Sequence, residues 1–137
     1  MRKAAIKLIK AHEGYRPMVY QCTEEHDTIG IGFKVSDLFL TEDVCDIILG
    51  QILDHNHEKF SERFSWFKTL PEIAQAVLMD MVYQMGIHGV SKFKKTLKAF
   101  EIWDWETASD EMLDSLWARQ TSSRAKELSN LIRNLKD

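Results

Sequence analysis

The stretch from Pro71 to Met85 constrains this chain more than any other. Proline suits the first position of a helix, and Ile73, Ala74, Val77, Leu78, Met81, Val82 and Met85 follow it. At 3.6 residues per turn these side chains cover most of the circumference instead of one stripe. Such a helix needs neighbours on nearly every side, so the pattern predicts a central, buried helix with a helical lobe around it. Gly86 and Gly89 punctuate its end. Shorter helices are predicted over Lys92–Phe100, Trp105–Trp117 and Ser123–Leu135.

The N-terminal part differs. Arg2–His12 has Ala5, Ile6, Leu8, Ile9 and His12 near one side, which predicts an amphipathic helix that Gly14 ends. Met18-Val19-Tyr20 and Thr28-Ile29-Gly30-Ile31-Gly32-Phe33 have strand character and flank the polar Cys22–Asp27. That arrangement predicts a small antiparallel hairpin. Thr41 then precedes Glu42, Asp43 and the apolar series Val44, Ile47, Ile48, Ile52, Leu53, Phe60 and Phe64. An N-cap, two acids at the positive helix end and that series predict a helix over about 42–64, roughly 30 Å long. The expectation is an α+β chain, mostly helical, with one hairpin near the start.

Eighteen basic and 21 acidic residues give a formal charge of −3, which argues against a general nucleic-acid binder. The opening segment is interrupted by lysines and lacks the apolar core of a signal peptide, and no apolar run is long enough to span a membrane. Stable membrane insertion is therefore not expected. Cys22 and Cys45 are too few for a disulfide framework and lack metal-ligand spacing. Neither metal nor cofactor is expected.

Glu13 lies where the first helix gives way to glycine, beside aromatic and apolar neighbours. Partial burial there would raise its carboxyl pKa and hold the proton that a general acid must donate. The plainer reading is an exposed carboxylate in a last helical turn, a position that the helix dipole disfavours.

The surrounding segment changes the balance. Glu13, eight residues, Cys22, five residues, Thr28, with Thr28-Ile29-Gly30-Ile31-Gly32 continuing, resembles the active-site segment of the phage-type lysozymes. Val82-Tyr83-Gln84-Met85-Gly86 and Trp117-Ala118-Arg119-Gln120-Thr121, with Arg124 and Ala125, are similar to two later motifs of that family. The resemblance implies one lysozyme-like catalytic domain over 1–137. It has a small lobe with the hairpin (about 13–40), a connecting helix (about 42–64) and a helical lobe (about 70–137, with the first helix), around a cleft. It implies hydrolysis of the β-1,4 bond between N-acetylmuramic acid and N-acetylglucosamine in peptidoglycan, by an endolysin. Glu13 would be the acid, with Cys22 and Thr28 holding and activating water in an inverting scheme. Tyr83, Gln84 and Thr96 would line the cleft, and Gly30 would let the glycan approach closely. The same likeness implies a monomer that stays in the host cytoplasm until a holin gives it access to the periplasm and wall.

Cys22 departs from the family pattern, which has aspartate at this place. An ordinary thiol, with pKa about 8.5, is mostly uncharged at neutral pH. Three readings stand open. Cys22 acts as thiolate base or nucleophile; it is a neutral polar group, with charge from Glu24, Glu25 or Asp27; or the site is impaired. Cysteine also stands here in some active members of the family, which puts the first reading ahead. A lytic transglycosylase and a catalytically weakened peptidoglycan-binding protein are the alternatives to hydrolysis. Lys92, Lys94, Lys95 and Lys98 form a basic patch with no acid among them, read as a solvated face that can also meet anionic wall polymers.

Overall fold

A computed structural model describes residues 1–136, so the expected domain's last residue, Asp137, lies outside the described part. The chain divides into two compact units, Met1–Cys45 and Asp46–Asp137.

The first unit opens with α1 (Arg2–Glu13), ended by Gly14 in a positive-φ conformation (φ 72°). Strands β1 (Arg16–Gln21), β2 (Asp27–Gly30) and β3 (Phe33–Lys34) form an antiparallel sheet in that order. Tyr20 pairs with Thr28 and Gln21 with Asp27, so the hairpin closes between Cys22 and His26. The expected continuous strand Thr28–Phe33 is broken. Gly30 and Gly32 both take positive φ (70° and 67°), and the chain folds back so that Phe33 pairs with Ile29 and Lys34 with Thr28. The hairpin is therefore a three-stranded meander, because only glycine adopts those two angles readily.

Helix α2 (Glu42–Arg63) matches the expected span, and Thr41 Oγ1 accepts from the Val44 N–H (3.3 Å) at its start. Its only fully buried residue is Phe60, which stacks with Phe64 and meets Phe67 edge-on. Leu53 and Phe64 are partly buried against the same core, whereas Val44, Ile47 and Ile48 are exposed.

Helix α3 (Glu72–Ser91) is the predicted central element: Ala74, Val77, Leu78, Met79, Met81 and Val82 are all buried. Ile73 is a correction, being exposed in the first turn. Gly86 interrupts the helix with φ 77°, which a side chain would resist. Then come α4 (Lys94–Glu101), α5 (Trp105–Leu113), α6 (Leu116–Gln120) and α7 (Ser122–Arg133). The single helix expected over Trp105–Trp117 is two. Ser115 is extended, and its side chain accepts from the Ala118 N–H, so it caps a fresh helix. Between α5 and α7 the buried Ser109 hydroxyl donates to the Ser129 carbonyl (3.0 Å). Among the described residues no helix is long and apolar enough to cross a membrane.

Candidate active site

Glu13 is the last residue of α1, and its side chain reaches the β2–β3 turn. A Cβ added at Gly32 would lie 2.5 Å from Glu13 Oε2 and 2.7 Å from its Cδ, so the carboxyl group rests on the bare Cα of that glycine. The carboxyl is exposed, and the partial burial expected of it is absent. Gly30 has a different neighbour: a Cβ there would meet the Phe33 ring at 2.9 Å. Both glycines make room for side chains of the protein itself, which the glycan-approach reading of this turn did not foresee.

The hairpin register draws Cys22 and Thr28 onto one carbonyl. The Cys22 N–H donates to the His26 oxygen (3.0 Å), and so does the Thr28 hydroxyl (2.9 Å). Thr28 is buried, Cys22 partly so. Hydrogen bonding from the His26 backbone, then from the Glu24 backbone, holds the Cys22 thiol below its ordinary pKa, against smaller opposing effects of desolvation and the Glu24 charge. The Thr28 hydroxyl lowers it further when its proton points to sulfur. That single proton serves either the His26 carbonyl or the thiolate, and the 2.9 Å contact assigns it to the carbonyl. The Thr28 oxygen then presents lone pairs that can accept a hydrogen bond from water. The arrangement thus offers a thiol with a lowered pKa and a fixed hydroxyl acceptor side by side. Glu24 itself meets His26 at 3.7 Å, both well exposed.

In the second unit Gln84 and Thr96 line one cavity of about 870 Å³ together with Trp117, Gln120 and Thr121. Gln84 Oε1 accepts from Trp117 Nε1 (2.8 Å), so its amide N–H groups are what remain for a ligand. Thr96 is only 3% exposed, more enclosed than a surface cleft residue. Tyr83 is not with them. Successive helical side chains point about 100° apart, and Tyr83 lines a second cavity of about 630 Å³ with His57, Asp80 and Arg124. There Arg124 Nε donates to Asp80 (2.7 Å), and His57 Nε2 meets Gln75 Oε1 (2.8 Å). The Gln75 amide donates to the Lys68 and Leu70 carbonyls, so its oxygen must face His57. The lysine patch is less one-sided in space than in sequence: Lys92, Lys94 and Lys95 share the larger cavity with Glu111 and Asp114.

Sequence reasoning missed the His26 carbonyl and the Gly32 contact. A main-chain acceptor leaves no side-chain signal. The glycine did carry one, its place in Gly-Ile-Gly, but the side chain it accommodates lies 19 positions earlier.

The family described as Phage lysozyme matches residues 10–134. Probable T4-type lysozyme 2 of Dictyostelium discoideum is 29% identical over 150 residues, covering 88% of each chain. Pre-baseplate central spike protein Gp5 of Enterobacteria phage T4 is 28% identical over 154 residues, which cover 92% of this chain and 27% of that protein. Probable T4-type lysozyme 1 of Dictyostelium discoideum is 36% identical over 66 residues, 48% of this chain and 39% of its own length. With the match running through both units, the chain belongs to the phage lysozyme family.

Proposed function

We propose that the protein is a lysozyme that hydrolyses the β-1,4 bond between N-acetylmuramic acid and N-acetylglucosamine in peptidoglycan, acting as an endolysin. Glu13 donates its proton to the departing glycosidic oxygen. Water attacks the anomeric carbon from the opposite face, held by the Thr28 oxygen and deprotonated by the Cys22 thiolate, which inverts the configuration. The observation that carries this reading is the shared His26 carbonyl, which ties Cys22 and Thr28 together in the unit that also contains Glu13. Gln84 and Thr96 are read as polar contacts for the glycan; Tyr83 is assigned a separate contact from its own cavity. On the same reading the enzyme is a monomer that reaches the wall with the help of a holin.

The test is mass spectrometry of fragments released from purified peptidoglycan, joined to early NMR spectra of the new ends. The proposal expects free reducing muramic ends that form first as the α-anomer. Anhydro ends would indicate a transglycosylase, and binding without release would indicate a weakened wall-binding protein. An initial β-anomer would make Cys22 a covalent nucleophile instead of a base.

A further inference from the structure

We propose that Gly32 is a positioning residue for the Glu13 acid: the β2–β3 turn, not the helix that carries Glu13, fixes where its carboxyl sits. This rests on the reading of Glu13 as the acid. A glutamate side chain at an exposed helix end has three rotatable bonds and no fixed place of its own. Here its Cγ, Cδ and Oε2 all lie within 3.1 Å of where a Gly32 Cβ would be. The whole end of the side chain is thus laid along one glycine.

The consequence of a methyl at this point follows from what must move. The atoms in the way are the far end of a flexible side chain, not backbone, so the carboxyl yields and the turn survives. To reach ordinary contact it must retreat by about 1 Å, and a misplacement of that size costs on the order of 100-fold in rate. Positive φ penalises any side chain at Gly32, but it penalises one equally at Gly86, where φ is 77° and an added Cβ meets nothing within 4 Å. Gly86→Ala therefore carries comparable backbone strain without touching Glu13.

The experiment compares Gly32→Ala and Gly86→Ala on purified peptidoglycan. Gly32→Ala is expected to lower kcat about 100-fold with KM nearly unchanged. Gly86→Ala is expected to leave kcat within about 5-fold. Wild-type kcat in folded Gly32→Ala, or an equal loss from Gly86→Ala, would overturn the proposal. A second measurement is independent of activity: the ¹³C resonance of the Glu13 carboxyl should move in Gly32→Ala and stay in place in Gly86→Ala, and an unmoved resonance in Gly32→Ala would overturn the proposal as well. If Glu13→Gln remains active, the assignment of the acid fails, while that resonance still reports the contact.

Discussion

Thr28 separates a catalytic hydroxyl from a merely well-suited strand residue. Thr28→Val keeps the β-branched shape that a strand favours and removes only the Oγ1–H that donates to the His26 carbonyl at 2.9 Å. A hydrogen bond of this kind contributes about 1 kcal/mol net. The larger penalty of a stranded partner does not arise, because the His26 oxygen keeps its bond from the Cys22 N–H at 3.0 Å. Thr28 is 4% exposed, so the new methyl is buried, which offsets part of the loss. For a chain of 137 residues, 1 kcal/mol corresponds to a Tm drop of roughly 4 °C. The catalytic expectation is much larger, about 100-fold or more in kcat, since the oxygen that orients water is gone. Thr28→Ser, which restores the hydroxyl, should recover most of that rate. Thermal melts and turbidity assays on cell-wall suspensions read both quantities on the same samples. A folded Thr28→Val protein with wild-type turnover would refute the water-holding role and leave Thr28 a strand residue only.

Activity should rise as pH increases through the Cys22 pKa, which lies below the ordinary thiol value because of the His26 and Glu24 backbones; in Cys22→Asp the rise should fall in the carboxylate range, near pH 4. Cys22→Ala should lose most activity, and an alkylating reagent should inactivate the wild type but spare Cys22→Asp when Cys45 is replaced in both. Since the folded state lowers this pKa, its ionisation supports stability above the unfolded value and less so as pH falls, so the Tm gap between wild type and Cys22→Ala should widen toward alkaline pH. Gln84→Leu strands the Trp117 Nε1–H now bonded at 2.8 Å and should cost about 1–3 kcal/mol in denaturant melts. Met81→Ala, at a fully buried position of α3, should cost roughly 2–5 kcal/mol. A negligible change would show that α3 is not the centre of its lobe.

The helices were legible because burial leaves a 3.6-residue period. The wrap-around pattern of Ile73 to Met85 required a surrounded helix, and α3 is one. The two misread places have local causes that periodicity averages away. Thr28–Phe33 has the composition of one strand, and only the angles of Gly30 and Gly32 turn it into a strand, a turn and a second strand. The Trp105–Trp117 pattern is apolar enough for one helix, yet Ser115 caps a new one, and Leu116 behind it is 61% exposed. At the candidate site, spacing and resemblance pointed to Glu13, Cys22 and Thr28, but not to the carbonyl that joins the last two. Adjacent letters also conceal geometry: Tyr83 and Gln84 were read as one surface, and the turn of α3 sends them to different cavities.

The central claim, that Glu13 is the acid of a peptidoglycan hydrolase, is tested most directly by one variant. Glu13→Gln keeps the size and the hydrogen-bonding capacity of the side chain, and the carboxyl's exposure means that its fold and cooperative melt should be unchanged. An amide cannot protonate the glycosidic oxygen. The release of reducing ends from purified peptidoglycan should therefore fall to background in the folded variant, while wild type releases them steadily. Substantial cleavage by folded Glu13→Gln protein would contradict the account.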